Sequence, residues 1–321
     1  MKVKLWGVRG SLPRPESPDK LNARILQILE DFHSSKAKSV KDFADSLLPN
    51  QLGGYGGNTS CMEVFDGDQS IIIDCGSGIK DLGMQLMAGP AAKGNAKIDI
   101  LITHFHWDHV IGLPFFIPIF IPGNEITFYG VQEDLGQCIK EMFKKPFFPV
   151  DFAWLPSKIR FEILEPRKTV KIDGLDVTPY QLDHPDPCWG YRIEKNGRAY
   201  AHCVDTEATR VTEQELGKDL GLYKDTNLMV FDGQYTLVEV IEKVNWGHAV
   251  AGLGLDIAMR EKIDHVVFVH HDPYATHEKI QAAIQQTQDY YQLRVSECKS
   301  IGLEVHDVTW EFGFEGMVLD V

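Results

Sequence analysis

The feature that most constrains this chain is the run His104-Phe-His106-Trp-Asp108-His109, which follows the apolar segment IDILIT at 98–103. The apolar segment predicts a buried strand. Alternate side chains leaving a strand point the same way, so His104 and His106 can face one ion. Asp108 and His109 follow where the chain turns, and they can face a second ion. Imidazole and carboxylate ligands without a thiolate suit zinc, and also manganese or iron. The run therefore predicts a metal site at the end of a strand.

Short strands separated by turns recur along the rest of the chain. Strands are predicted at 2–8, 61–65, 70–74, 98–103, 125–130, 158–164, 175–182, 189–195, 198–205, 227–233 and 265–271. Helices are predicted at 248–262 and 276–293 from their apolar spacing. Strands mixed with helices that return to a sheet favour α+β or α/β layers over a pure barrel or bundle.

Residues 16–52 differ from the rest of the chain because their apolar residues recur at helical spacing. The segment predicts a pair of amphipathic helices inserted between the first strand and the glycine-rich run 53–57. A lid or a dimer contact is the expected use of such a pair. The remainder forms one domain, so residues 1–321 are predicted to be a single domain with a helical insertion at 16–52.

The charge balance restricts the partners. The chain carries 46 acidic and 32 basic residues, a formal net charge of −14. An acidic surface repels a phosphate backbone, so long nucleic acid is disfavoured. A small anionic ligand remains open, because bound metal ions reverse the field inside a pocket.

The compartment is predicted from the cysteines and the hydropathy. None of the six cysteines forms a CxxC pair, which is typical of reduced thiols in a cytosolic protein. The N-terminal residues have no apolar run of the kind found in signal peptides. No stretch approaches the roughly 18 apolar residues that a membrane helix needs. We expect a cytoplasmic protein with no membrane partner.

The run from His104 to His109 resembles the HxHxDH motif of the metallo-β-lactamase superfamily. Within it, the chain is most similar to the branch of tRNase Z, PhnP-like phosphodiesterases and cyclic-nucleotide-degrading enzymes. The resemblance extends from Gly7 to about His277, and the segments 6–13, 55–61 and 73–78 also match. It implies an α+β fold, an αββα sandwich of two packed mixed sheets with outer helices. It also implies that Asp74 supports the metal site from behind.

The resemblance implies seven metal ligands on two divalent ions, with zinc expected and manganese or iron as alternatives. One ion takes His104, His106 and His184, the other takes Asp108, His109 and His270, and Asp205 bridges them. From the residues alone, His184 can equally be a surface loop residue and Asp205 a helix N-cap. His271 stays open as an alternative to His270.

Catalytic residues are implied by a second motif. The segment Trp246-Gly-His248-Ala resembles the GHST motif of the tRNase Z group, with Ala249 in place of the serine. His248 is the predicted general acid for the leaving group, and Asp232 is predicted to orient it. Asp108 is predicted to orient the nucleophile as well as bind metal.

A separate acid favours phosphoester chemistry, and the acidic surface favours a small diester. We therefore predict a metal-dependent phosphodiesterase acting on a cyclic nucleotide, in a chain that resembles homodimeric relatives. Three alternatives remain: a thioester or lactone hydrolase, a tRNA 3′-processing endonuclease, and a metal-dependent ligand sensor. Six aromatic residues are candidates for stacking a base: Trp107, Phe115, Phe116, Phe147, Phe148 and Trp154.

Overall fold

The computed structural model describes residues 1–321 and contains fourteen strands and ten α-helices. The strands are β1 Lys2–Gly7, β2 Cys61–Asp66, β3 Gln69–Ile73, β4 Lys97–Leu101, β5 Glu125–Gly130, β6 Lys158–Ile163, β7 Val170–Ile172, β8 Leu175–Gln181, β9 Trp189–Lys195, β10 Arg198–Cys203, β11 Leu228–Asp232, β12 His265–Val269, β13 Thr309–Phe312 and β14 Val318–Asp320. The helices are α1 Pro18–Ser34, α2 Val40–Ser46, α3 Pro49–Gly53, α4 Ile79–Leu86, α5 Trp107–Val110, α6 Leu135–Met142, α7 Glu213–Leu216, α8 Leu237–Glu242, α9 Ala251–Glu261 and α10 His277–Ser300.

The strands form two mixed sheets of seven strands each. The first has the order β14-β1-β2-β3-β4-β5-β6 and the second the order β13-β12-β11-β10-β9-β8-β7. In the first sheet the pairs from β14 to β3 are antiparallel and those from β3 to β6 are parallel. The second sheet repeats this division, with parallel pairs from β13 to β10 and antiparallel pairs from β10 to β7.

Three apolar clusters separate four layers. A cluster of 24 buried residues lies between the sheets and takes members from both. A cluster of 17 packs the outer face of the first sheet against α4 and α6, and a cluster of 25 packs the second sheet against α9 and α10. Each fully buried aliphatic side chain contributes about 1.5–3 kcal/mol, so these clusters hold the layers together. The predicted αββα sandwich is confirmed.

The side-chain alternation of β3 shows why the sequence forms these layers. Ile71 and Ile73 belong to the cluster between the sheets, and Ile72 belongs to the cluster beneath the helices. Successive side chains of a strand point to opposite faces, so a run of three isoleucines suits a strand that is buried on both sides. In the neighbouring β4, Ile100 belongs to the cluster beneath the helices and Leu101 to the cluster between the sheets.

All eleven predicted strands are present, with ends shifted by one or two residues. The helix predicted at 248–262 is α9, which starts three residues later, and the helix predicted at 276–293 is α10, which extends to Ser300. The strands β7, β13 and β14 were not expected. They are only three or four residues long, too short to show a period.

Residues 16–52 form three helices, α1 to α3, in place of the predicted pair. None of the residues of α1 or α2 is buried. Phe32 and Phe43 pack against each other with ring centroids 5.5 Å apart, which joins the two helices. Six apolar side chains of this segment are exposed: Leu21, Ile25, Leu26, Leu29, Val40 and Leu48.

No helix is both long and apolar enough to cross a membrane. All six cysteines are free thiols, and five of them are buried.

The substitution Gly76→Ala tests how tightly the loops that carry the predicted metal ligands are packed. A Cβ there would lie 2.3 Å from the Asp108 carbonyl oxygen and 2.5 Å from that of Ser60, so Gly76→Ala forces backbone apart. We expect a loss of about 3 kcal/mol in the free energy of unfolding, measured by urea denaturation. In the control Gly53→Ala the new methyl group meets nothing within 4 Å, and the change should stay within about 0.5 kcal/mol. Equal midpoints for the two variants would contradict this packing.

Candidate metal centre

The seven predicted ligands gather at one edge of the sandwich, between the two sheets. His104 follows the end of β4 in the first sheet. His184, Asp205 and His270 follow the ends of β8, β10 and β12 in the second sheet. The strands β8, β10 and β12 run in the same direction, so their carboxyl ends share an edge. The topology thus brings together residues that lie up to 166 positions apart in the chain.

Three imidazoles form the first group. His104, His106 and His184 have ring centroids 4.5–4.9 Å apart, and each offers a nitrogen within 4.8 Å of the others. The Nε2 atoms of His104 and His184 are buried and have no hydrogen-bond partner in the protein. A zinc–nitrogen bond is about 2.0–2.1 Å long, so ligand atoms at this spacing fit a shared ion. The geometry and the unpartnered nitrogens both fit a metal ion here.

Asp186 orients two of these rings, although the sequence did not single it out. Nδ1 of His184 lies 2.9 Å from the Asp186 carbonyl oxygen, and Nε2 of His106 lies 2.9 Å from its Oδ2. A carboxylate oxygen can only accept, so Nε2 of His106 donates to Asp186. Nδ1 of His184 contacts both the carbonyl oxygen and the backbone N–H of Asp186, and its Nε2 has no partner in the protein. Nε2 of His184 and Nδ1 of His106 are left free to bind metal. The sequence signal that could have indicated Asp186 is its position two residues after the predicted ligand His184.

The second group joins two imidazoles and two carboxylates. Nε2 of His109 lies 2.6 Å from Oδ2 of Asp205, 3.3 Å from Nε2 of His270 and 3.5 Å from Oδ2 of Asp108. Nε2 of His270 lies 3.0 Å from Oδ2 of Asp108 and 3.3 Å from Oδ2 of Asp205. The nitrogen and oxygen atoms of these four side chains therefore lie close enough together to bind one ion.

Asp205 lies between the two groups. Its carboxylate also stands within 4.8 Å of nitrogens of His104 and His109. This is the position that a bridging ligand occupies. Burial alone would raise the pKa of Asp205, but the charges of His109 and His270 outweigh it and hold this pKa well below its usual value. The carboxylate therefore stays ionised, as metal binding requires.

His270 belongs to the cluster and His271 does not. Nε2 of His271 donates to the Gly313 carbonyl oxygen at 2.7 Å, and its ring stacks on Phe312. His270 is buried; burial would lower its pKa, but Asp205 and Asp108 raise it to about 9. The structure thus favours His270 over His271 as the candidate ligand.

Asp74 lies behind the cluster, as the resemblance implied. Its Oδ2 accepts from Nδ1 of His109 at 2.7 Å, and its Oδ1 accepts from the backbone N–H of Thr103 at 2.9 Å. The carboxylate is fully buried. It directs Nε2 of His109 towards the metal position. Similarly, the backbone N–H of Ser11 donates to Oδ2 of Asp108 at 2.7 Å, a contact that no sequence pattern could reveal.

His248 and Asp232 form a pair beside the second group. Nδ1 of His248 lies 2.9 Å from Oδ2 of Asp232, whose Oδ1 accepts from the backbone N–H of Gln234 at 3.0 Å. Gly247 lies so close to His184 that a Cβ there would stand 2.2 Å from the ring. The backbone N–H of Gly247 donates to Glu207, a second residue that the sequence did not indicate. The pair is therefore held over the metal ligands.

Residues 69–271 match a family model described as the beta-lactamase superfamily domain. The match covers more than half of the chain and includes all seven predicted ligands. The chain belongs to this superfamily. The predicted family is confirmed, and so is the branch, since the curated relatives are named ribonuclease Z.

Two relatives show how far this similarity reaches. Ribonuclease Z of Ligilactobacillus salivarius is 30% identical over 169 residues, which is 49% of this chain and 50% of that protein. Ribonuclease Z of Streptococcus suis is 27% identical over 218 residues, 64% of this chain and 68% of that protein. The chain thus spans about half the length of the first of these relatives.

Solved structures share the superfamily fold. The metallo-beta-lactamase fold protein YhfI from Bacillus subtilis aligns with a TM-score of 0.63 at 14% identity, over 99% of this chain and 97% of that one. A diphosphatase from the PhnP family aligns with a TM-score of 0.60 at 15% identity, over 100% and 97% of the chains. At such identities the likeness shows the fold alone. The predicted enzyme class, a metal-dependent hydrolase, is confirmed by the family match and by the curated relatives named ribonuclease Z.

The six aromatic residues predicted as candidates for stacking a base differ in their burial. Phe116 is fully buried in the core, so its proposed role in stacking a base was wrong. Phe148 is half-buried and packs edge-on against Phe115 and Phe143. The other four side chains, Trp107, Phe115, Phe147 and Trp154, are more than 60% exposed. Trp107 lies between the predicted ligands His106 and Asp108 in the chain, and its ring is exposed.

Asp186→Asn tests the orienting role of Asp186. The amide retains its shape but loses the charge that holds Nε2–H of His106, so we expect metal affinity to fall by about 10–100-fold. Competition with a chromophoric chelator measures this affinity. Asp68→Asn, in the turn between β2 and β3, removes the same charge away from the site and serves as the control. If both variants bind metal like the wild type, the side chain of Asp186 has no part in the site.

Proposed function

We propose that this protein is a dinuclear metal-dependent phosphodiesterase that hydrolyses a cyclic nucleotide. The observation that carries the proposal is the pair His248–Asp232, held beside seven metal-ligand side chains. His104, His106 and His184 would hold one divalent ion, and Asp108, His109 and His270 the other, with Asp205 between them. Zinc suits this set of nitrogen and oxygen donors, and manganese or iron remain alternatives.

The bound ions would provide hydroxide at neutral pH and neutralise the charge of a phosphodiester. The chain's own residues supply the remaining chemistry. Asp108, held by the Ser11 backbone N–H, has a second oxygen that can orient the attacking water. Nδ1 of His248 donates to Asp232, which leaves Nε2 of His248 to deliver a proton to the departing oxygen. A separate proton donor of this kind is what an ester with a poor leaving group needs.

The charge of the chain supports a small substrate. The formal net charge of −14 disfavours a long phosphate backbone, whereas two cations in the cleft attract a small anion. The exposed rings of Trp107 and Phe115 provide faces on which a nucleobase can stack. A cyclic nucleotide combines the small anion and the base.

A second candidate is tRNA 3′ processing, which the names of the curated relatives favour. The His248–Asp232 pair serves that reaction equally well. Against it stands the acidic surface, which would have to bind a long polyanion. A thioester or lactone hydrolase has less need of the acid, and a ligand sensor has none.

A homodimer in the cytoplasm completes the proposal. The exposed apolar side chains of segment 16–52 support a contact between two copies, since contiguous apolar surface marks interaction sites. The six free thiols support a reducing compartment.

A substrate panel on the metal-reconstituted protein tests the function. The panel holds cyclic mononucleotides, cyclic dinucleotides, bis-p-nitrophenyl phosphate, a precursor tRNA with a 3′ trailer, and a thioester. We expect the highest kcat/KM for a cyclic nucleotide, and no turnover after chelation. Cleavage of precursor tRNA alone would establish the second candidate, and an inert protein would indicate a sensor.

His248→Ala tests the proton donor. We expect metal content to stay unchanged and kcat for diester cleavage to fall by about 10²–10⁴-fold, the range for loss of a general acid. The matched control is His33→Ala, which removes an exposed imidazole from α1. Elemental analysis and steady-state rates provide both readouts. A wild-type rate in His248→Ala would remove this residue from the mechanism.

A further inference from the structure

A polar cavity of about 160 Å³ lies between the segment 16–52 and the glycine-rich run 53–57. We call it the arginine cavity. Its charged and aromatic lining consists of Arg9, Arg14, Glu16, Arg24, Tyr55 and His277. None of these residues is a predicted metal ligand or a member of the His248–Asp232 pair. The cavity is therefore a feature that the proposed hydrolysis does not explain.

The lining carries three guanidinium groups and one carboxylate. Arg24 pairs with Glu16 through Nη2. Arg14 makes no ion pair and no side-chain hydrogen bond. Arg9 is buried and donates to carbonyl oxygens of Gly56 and Ala275, which leaves its charge uncancelled by a direct carboxylate partner. Burial lowers the pKa of Arg9 to about 10, so the group remains cationic at neutral pH.

Two nitrogen atoms of the lining are buried and have no partner in the protein. They are Nη1 of Arg24 and Nδ1 of His277. A buried donor without an acceptor costs about 1–3 kcal/mol, so such groups are normally satisfied. Nη1 of Arg24 can only donate, so the cavity offers an unmatched donor as well as unmatched positive charge.

Two further carboxylates face Arg9 from outside the cavity, and both are engaged elsewhere. Glu315 accepts from the backbone N–H groups of Gly57 and Asn58 at 3.0 and 3.1 Å. Asp272 accepts from the backbone N–H of Tyr274 at 2.7 Å and lies 3.5 Å from Nζ of Lys243. Neither side chain lines the cavity, so neither occupies the space that its donors face.

The glycines explain how the arginines come so close to the main chain. Gly54 has a φ of +73°, and a Cβ there would lie 2.8 Å from Nη1 of Arg24. A Cβ on Gly57 would lie 2.5 Å from the Arg14 carbonyl oxygen. A larger residue at position 54 would displace the Arg24 guanidinium, and one at position 57 would displace the Arg14 backbone. The run 53–57 therefore keeps the space open beside the cations.

We propose that the arginine cavity binds a phosphate group, at a site separate from the metal centre. Guanidinium groups bind phosphate through paired, charge-assisted hydrogen bonds, and several arginines around one cavity suit a dianion. The phosphate is either free in solution or part of a larger nucleotide. In both cases it would engage Arg14 and Nη1 of Arg24, which no other group in the protein uses.

Isothermal titration calorimetry of the metal-loaded protein with inorganic phosphate tests the site. We expect Arg14→Gln and Arg24→Gln to weaken binding at the cavity by about tenfold or more, since each loses a charged donor. Lys41→Gln removes one positive charge from the same segment at a position that is 81% exposed, and it should bind like the wild type. The metal centre is the same in all four proteins, so its own affinity for phosphate cancels in the comparison.

The source of the phosphate is decided by kinetics with the same variants. If the group belongs to the substrate, Arg14→Gln raises KM for a nucleotide and leaves kcat and the cleavage of bis-p-nitrophenyl phosphate unchanged. If the phosphate is free, KM stays constant and only the binding of inorganic phosphate is lost. Equal phosphate affinity in all four proteins would overturn the proposal, whether or not the protein cleaves any ester.

Discussion

The hydrogen bond between Asp74 and His109 is the interaction on which the rest of the site depends. Both groups are fully buried, and a buried carboxylate is tolerated only when it is paired and hydrogen-bonded. Asp74 meets this condition by accepting from His109 and Thr103 together. The same contacts join the end of β3 to the loop after β4 and direct a ligand nitrogen outward. The same hydrogen bonds therefore stabilise the fold and position the predicted ligand His109.

The two sheets make this arrangement possible because they divide alike into antiparallel and parallel halves. The ends of β4, β8, β10 and β12 meet at one edge, and each end supplies a ligand. Loops at that edge are free of the alternating apolar pattern that a strand in the core requires, so they can hold polar groups. Apolar clusters on both sides of each sheet keep the edge rigid. Precise spacing between distant residues follows from ordinary strand packing.

Much of this could be predicted from the sequence. The strong strand patterns and the HxHxDH run correspond to real elements, because apolar alternation and ligand spacing are local properties. Residues such as Asp186 and Glu207 were missed, since their roles depend on a neighbour brought close by the fold. Phe116 was wrongly predicted as a candidate for stacking a base, because the residue type alone does not show whether an aromatic side chain is buried or exposed. The short strands β13 and β14 complete sheets through long-range pairing that no local pattern records.

Three side chains of the site, Asp74, Asp205 and His270, stand on left-handed backbone with φ of 63°, 64° and 66°. Non-glycine residues there carry strain of about 1–3 kcal/mol each, which persists only where the surroundings impose it. Glycine would relieve the strain but could bind nothing. A lineage that abandons its metals loses the reason to keep these residues, and drift towards glycine or asparagine then increases stability. The residue types at these three positions therefore record whether selection still maintains the chemistry.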